Sequence, residues 1–407
     1  MDALIKLIFT LPLVVMALNF GVTLVLRLSA KSTFLRKNYT LQPRVSILLP
    51  CFNEGRQVFR TIKSIIANDY PINKVEVIAV DDCSADNTYL WIERAARRWA
   101  NVQAFKNPVN SGKHQTLSNA MKHAKGEILI CIDSDCIFDR RAIAELTACF
   151  EDPRIGAVGG RVGISNPRSN ILTQCQTLVY YYAFQIMKMS QNWTRNVTCI
   201  SGCMFAVRRK HFEAIEEQVK SRNWFGIGVR DGEDRYMTHL LLLKGLKTYI
   251  NIDAQCWTAA PNNLKQLFMQ QLRWRRSGLR DLFWTLRTFR TNLAILHPLT
   301  IINLMIPGAL TVMWPAMYIY AISSGWVAEQ LFLTMPFYFL IYICVGLLFN
   351  LYAHRHNPEQ KISPLLVGSL GLWFIVDSFF TTLVALCTFD VGDWGTRGAA
   401  APKATAG

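Results

Sequence analysis

The chain has 407 residues, is 51% hydrophobic and carries a formal net charge of +16. Its apolar residues gather into a few uncharged runs, which sets aside a wholly water-soluble chain and predicts a membrane protein with one large soluble part. The basic excess invites a nucleic-acid reading, but no RNA-binding signature accompanies it, so no nucleic-acid partner is expected.

The first run, Leu7 to Leu26, holds no charge over 20 residues, enough for a bilayer core that needs about 20. It exceeds the ~7–15 apolar residues of a signal-peptide core, so a retained anchor is expected. Arg27, Lys31, Arg36, Lys37 and Arg44 follow it while Lys6 alone precedes it, which puts the large domain in the cytoplasm by the positive-inside bias. Nine of the 11 cysteines lie in that domain, where a reducing compartment favours free thiols. Neither Cys131/Cys136 nor Cys199/Cys203 has zinc-ligand spacing with matching histidines, so these residues are read as small buried hydrophobes.

Residues 44–135 alternate strand and helix patterns. Strands are predicted over 44–50, 75–82, 101–106 and 126–135, with helices over 55–67, 86–99 and 113–124 between them. Such alternation predicts a parallel sheet with helices on its faces, and ligands in such sheets sit beyond the carboxyl ends of the strands. The polar clusters Asn53-Glu54, Asp81-Asp82 and Asp133-Ser134-Asp135 fall there. The first turn has one glycine in place of a Gly-x-Gly-x-x-Gly fingerprint, and no Gly-Lys-Ser phosphate loop occurs. Asp133 and Asp135, at i and i+2, point to one side of a strand and repel unless a cation lies between them. A hard divalent ion, Mg²⁺ or Mn²⁺, would relieve that repulsion and neutralise a departing diphosphate.

Further along, Gly232-Glu233-Asp234-Arg235 opens a helical pattern. Acids there serve as helix caps, and Asp234 has a second reading as a general base. From Leu264 to Arg290 apolar positions recur near helical spacing, and seven Lys or Arg accompany the single acid Asp281. A basic amphipathic helix just before a span reads as lying on the cytoplasmic membrane surface. Uncharged runs return at Pro298–Val327 and Leu331–Ala353, and a fourth from Ile362 to about Thr388 is broken by Asp377. A charge at a bilayer centre is costly, so Ile362–Val376 is expected to enter the membrane and Asp377–Phe389 to return along the interface. That course keeps the chain beyond Phe389 on the cytoplasmic side.

In this order, Asn53-Glu54, Asp81-Asp82, Ser111-Gly112-Lys113, Asp133-Ser134-Asp135, Gly232-Glu233-Asp234-Arg235, Gln270-x-x-Arg273-Trp274 and Trp394-Gly395-Thr396-Arg397 resemble the motifs of membrane-integrated, processive family 2 glycosyltransferases. Within that family the Gly-Glu-Asp-Arg and Trp-Gly-Thr-Arg motifs are most similar to hyaluronan synthases, rhizobial chitin-oligosaccharide synthases and chitin synthases. The resemblance implies an α/β GT-A (Rossmann-like) cytoplasmic domain embedded between transmembrane and interfacial helices. It also implies a UDP-sugar donor, with UDP-GlcNAc as the leading choice, and a growing β-linked polysaccharide acceptor passed through the bilayer of the plasma (inner) membrane. A single-addition transferase to a lipid phosphate carrier, or a glucose-containing capsule synthase, stands as the alternative.

Carried onto this sequence, the resemblance implies that Glu54, Asp82 and Lys113 hold the uridine part of the donor. Asp135, helped by Asp133, would ligate Mg²⁺ or Mn²⁺, and Asp234 would be the base with Glu233 beside it. Arg273 would pair with the diphosphate, supported by Gln270, and Trp274 would stack on the acceptor sugar. Trp394 and Arg397 would belong to a gate over the nucleotide. The expected layout is an anchor at 1–27, a catalytic domain at 41–260, interfacial helices at 261–292, membrane helices at 293–389 and a gating tail at 390–407.

Overall fold

The apolar runs of residues 44–135 form four parallel strands, β1 (Val45–Cys51), β2 (Val75–Asp81), β3 (Val102–Lys106) and β4 (Ile128–Ile132). They are seen in a computed structural model that describes residues 2–29, 35–224, 227–229, 232–325, 327–356, 363, 379–389 and 391. Helix α1 (Asp2–Ser29) precedes them, and α2 (Gln57–Ile66), α3 (Thr88–Arg98) and α4 (Lys113–Met121) lie between them. Every residue of β1 and β4 is buried, as expected of central strands covered on both faces, which read as continuous apolar runs. Val58, Ile62 and Ile65 supply the buried stripe of α2, at the helical spacing that turns one face to the sheet.

The chain continues through β5 (Ile137–Phe138), α5 (Ala142–Thr147), β6 (Ile155–Ile164) and α6 (Ile171–Tyr181). Asn170 opens α6 with a capping box: its side chain accepts from Thr173 N at 3.0 Å, and Thr173 Oγ1 accepts from Asn170 N at 3.1 Å. A π-helical stretch, Tyr182–Lys188, leads into α7 (Met189–Gln191). Then come β7 (Met204–Arg208), α8 (Arg209–Lys220), the short hairpin β8 (Asn223–Trp224) and β9 (Ile227–Gly228), α9 (Glu233–Leu243) and β10 (Lys247–Thr258).

One eight-stranded sheet results, in the order β3-β2-β1-β4-β7-β6-β10-β5. The expected parallel sheet holds for β1 to β4, but β7 runs antiparallel between β4 and β6, so the whole sheet is mixed. The apolar pattern of Met204–Arg208 is the same in either direction, so periodicity carries no signal for this reversal. It has a consequence for the site. An antiparallel strand begins where its neighbour ends, so the Ser201–Cys203 turn lies beside Asp133, whose N–H donates to Cys203 O at 3.3 Å.

The amphipathic segment forms α10 (Leu264–Arg287) and α11 (Phe289–Ile295), followed by α12 (Pro298–Ser324) and α13 (Val327–His356) over the next two uncharged runs. Helix α10 packs on α12, where Gly308 leaves room that a Cβ would take from Leu282 at 2.8 Å. Among the described residues no helix is long and apolar enough to cross a membrane. Helices α1, α12 and α13 nonetheless turn large apolar side chains outward, among them Leu18, Leu28, Ile322 and Phe332. Residues 379–387 are helical, while Asp377, Trp394 and Arg397 lie outside the described residues.

Candidate active site

The carboxyl ends of β1, β2 and β4 lie side by side, and the polar clusters of the sequence follow them. After β1, Asn53 takes a positive φ of 52°, its N–H donates to Ser84 Oγ at 2.9 Å, and its Oδ1 accepts from Ala85 N at 3.0 Å. Next to it Glu54 Oε1 accepts from Ser134 Oγ at 2.9 Å, joining the ends of β1 and β4. Asp82, after β2, is almost fully buried. Its Oδ1 accepts from Asn107 Nδ2, Ser111 N and Ser111 Oγ at 2.8–2.9 Å, and its Oδ2 from Gly112 N at 2.8 Å. The Asp82 carboxylate therefore holds the loop that delivers Lys113. Its neighbour Asp81 is different: Oδ2 accepts from Ser84 N at 3.2 Å, but the buried Oδ1 has no hydrogen-bond partner among the described residues. Burial pushes the Asp81 carboxyl up, opposed by its bonds to Ser84.

Lys113 stands at the centre. Its Nζ is 2.7 Å from Asp133 Oδ1 and 2.9 Å from Glu233 Oε1, and it donates to Gly202 O at 3.4 Å. Burial alone would depress its pKa, but Asp133 and Glu233 outweigh burial and hold the ammonium well above its ordinary value. For Glu233 burial works upward, and the Lys113 charge overcomes it to leave that carboxyl below its usual range. So one buried cation joins the strand end at Asp133 to the first turn of α9 at Glu233. The sequence reading of Asp133 as a charge in need of a cation is met here by a lysine.

Asp234, the next residue, accepts from Gly202 N at 2.9 Å through Oδ2 and from Arg235 N at 2.8 Å through Oδ1. Gly232, at φ 69°, makes the turn that starts α9, and a Cβ there would lie 2.1 Å from Ser277 Oγ of α10. Arg235 reaches Asp281 of α10 at 3.7 Å. Gly202 was not singled out by the sequence reading, because a residue acting through its backbone leaves no chemical signature. A Cβ at Gly202 would meet Lys113 Nζ at 2.8 Å and Asp234 at 3.5 Å, so the site needs glycine at this position.

The motif on α10 closes one side. Trp274, partly exposed, packs against Tyr180 with ring centroids 6.3 Å apart. Burial pushes the Tyr180 hydroxyl well up; Cys203, Cys136 and Asp135 add to this and Arg273 opposes it. Tyr180 thus joins Trp274 of α10 to α6, a connection absent from the motif pattern. Gln270 Oε1 is buried without a hydrogen-bond partner among the described residues. Asp135 Oδ1 accepts from Cys136 Sγ at 3.5 Å. Further along α10, Arg276 donates to Thr388 Oγ1 at 2.7 and 3.1 Å, and Arg280 donates to Phe389 O at 3.0 Å and Val391 O at 3.3 Å. The helix bearing Gln270, Arg273 and Trp274 therefore grips the chain shortly before Trp394.

A family model described as glycosyltransferase like family 2 matches residues 43–277, more than half of the 407 residues. The chain belongs to this family. Among relatives of this family 2 glycosyltransferase, a hyaluronan synthase of Streptococcus pyogenes is 27% identical over 390 residues, 93% of this chain and 90% of that protein. An N-acetylglucosaminyltransferase of Bradyrhizobium diazoefficiens is 31% identical over 245 residues, 59% of this chain and 50% of that protein. The solved mannosyltransferase PcManGT from Pyrobaculum calidifontis superimposes with a TM-score of 0.57 at 19% identity, over 90% of this chain and 99% of that one. At that identity the likeness speaks to the fold, which is GT-A-like with a mixed sheet.

Proposed function

We propose that this family 2 glycosyltransferase polymerises a GlcNAc-containing, β-linked polysaccharide from UDP-sugars, with inversion, and passes it across the membrane. The observation that carries the reading is the convergence of Lys113, Asp133, Glu233 and Asp234 at the ends of β4 and α9. The relatives matched over nearly the whole chain are named hyaluronan synthases, and those matched over 59–61% of it N-acetylglucosaminyltransferases, which supports both the donor and the polymer.

In the proposed reaction an acceptor hydroxyl attacks C1 of the donor sugar. The new C1–O bond forms as the bond from C1 to the diphosphate oxygen breaks, and that electron pair leaves with UDP. Asp234 takes the hydroxyl proton; the N–H groups of Gly202 and Arg235 orient its carboxylate. Asp81 Oδ1, a buried acceptor without a partner among the described residues, suits an N–H of the uracil ring. Glu54 and Asp82 hold the walls of the nucleotide pocket through Ser134 and the 107–112 loop. The oxygen donors of Asp135 and Asp133 suit Mg²⁺ or Mn²⁺, which bind through one or two carboxylates together with substrate phosphates; such an ion would neutralise the leaving diphosphate. Arg273 would share that role as a fork of N–H donors, with Trp274 stacking on the acceptor sugar.

Membrane embedding is part of the proposal, with the catalytic domain on the cytoplasmic face of the inner membrane. The uncharged runs and the outward apolar side chains of α1, α12 and α13 support it, as does the packing of α10 on α12. The grip of Arg276 and Arg280 on residues 388–391 supports a cytoplasmic position for Trp394 and Arg397. The direct test of the chemistry is Asp234→Asn. It should abolish UDP release from UDP-GlcNAc while leaving UDP affinity within about twofold, because no leaving-group contact is removed. Retained turnover would remove Asp234 as the base.

A further inference from the structure

The sequence holds no Cys-x-x-Cys pair, yet the fold takes one residue from each of two distant cysteine pairs and sets them side by side. Cys136 follows β4 and Cys203 precedes β7. Their thiols and a carboxylate oxygen of Asp133 all lie within 4.8 Å of one another. Backbone contacts fix the arrangement, since Cys136 N donates to Asp133 O at 3.1 Å and Asp133 N to Cys203 O at 3.3 Å. A third thiol, Cys256 on β10, lies in the same buried region and faces Cys136 closely enough to perturb it. Cys136 and Cys256 are buried, whereas Asp133 and Cys203 are partly open to solvent, which leaves a way in for an ion.

We propose that Asp133, Cys136 and Cys203 form an inhibitory site for a soft divalent cation, Zn²⁺ or Cd²⁺. Two thiolates and one carboxylate are a donor set for such ions, and hard Mg²⁺ competes poorly for sulfur. Tetrahedral Zn²⁺ with Zn–S bonds of about 2.3 Å needs its sulfurs roughly 3.8 Å apart, so the three donors have only a short way to close. Binding releases the two thiol protons to solvent, with water as the fourth ligand. The bound ion would engage Asp133, the carboxylate now paired with Lys113 at 2.7 Å. It would thereby disturb the Lys113–Glu233 pair and the adjoining Asp234. The inhibitory half of the proposal rests on the reading of this cluster as the transfer site; the binding half does not.

The test uses the full chain, purified metal-free with reduced thiols, in a membrane mimetic. Cd²⁺ titrated in excess Mg²⁺ should produce an ultraviolet thiolate-to-cadmium charge-transfer band that saturates at one ion per chain. Cys136→Ser and Cys203→Ser should each weaken that binding by about tenfold or more, given that even outer-shell partners of metal sites count for 10–100-fold. Cys203→Ser, at the more open position, keeps the test valid if the buried variant fails to fold. No band, or a band that survives in both variants, overturns the site. In the transfer assay Zn²⁺ should inhibit the unmodified chain and lose that effect in the same variants. A saturating band without inhibition of an active chain would overturn the inhibitory role, whereas a metal-free chain that releases no UDP would overturn the proposed function instead.

Discussion

Lys113 is only 6% exposed and neutralises two carboxylates at once, so its charge cannot be replaced by solvent. Lys113→Met should therefore destabilise the catalytic domain by about 3–5 kcal/mol, the usual cost of leaving a buried charge without its partner; denaturant unfolding measures it. A loss below about 1 kcal/mol would mean that water reaches Glu233. Asp81→Asn should weaken UDP affinity while leaving the fold intact, as read by calorimetry, because the amide still accepts but competes with its own N–H donors. His239 gives a pH dependence. It is buried, and burial lowers its pKa, opposed by Asp281 and Asn292. The unfolded chain, with a histidine pKa of about 6.5, then binds the proton more readily than the folded one. This contribution to stability is complete above that pH and is lost as pH falls toward the depressed folded value. His239→Gln should flatten the fall in Tm between neutral and mildly acidic pH; an unchanged slope would place its source elsewhere. At this scale the sequence singled out charged side chains that the fold then brings together, as at Asp133, Glu233 and Asp234. It was silent on Gly202, which acts through its N–H and C=O, and on Tyr180, whose role depends on a neighbour far along the chain.

Among the elements, β1 to β4 and the helices between them were legible because apolar runs and helical stripes report burial directly. The reversal of β7 was not legible, since direction and neighbour order in a sheet come from chain crossings rather than from local pattern. Yet that strand brings Cys203 and Gly202 to the site, so what was hidden in the sequence is the placement of the site's second wall. Helix α10 has a comparable duality. Its amphipathic stripe predicted an interfacial helix, while Arg276 and Arg280 use its length to hold residues 388–391. Arg280→Ala should release that segment. The expected results are faster proteolysis after residue 388 and a fall in transfer rate exceeding any change in UDP affinity. Equal losses of rate and affinity would instead indicate general damage to α10.

In the whole molecule, a GT-A-like sheet is joined to helices α1, α12 and α13 that turn apolar side chains outward. The uncharged runs marked those helices in the sequence, and the proposed course relative to a bilayer rests on the basic residues that flank them. A cysteine placed at Thr396 should react with an impermeant thiol reagent only after the cytoplasmic face is opened; labelling in intact cells would put the last motif outside and away from the donor. The most direct measurement of the central claim is product analysis. The purified chain with Mg²⁺ or Mn²⁺ is given labelled UDP-GlcNAc, with and without UDP-glucuronate. A high-mass β-linked polymer is predicted, chitin-like if UDP-GlcNAc suffices and hyaluronan-like if both donors are required, and absent with Asp234→Asn. A single sugar transferred to a lipid phosphate, or no UDP release from either mixture, would contradict it.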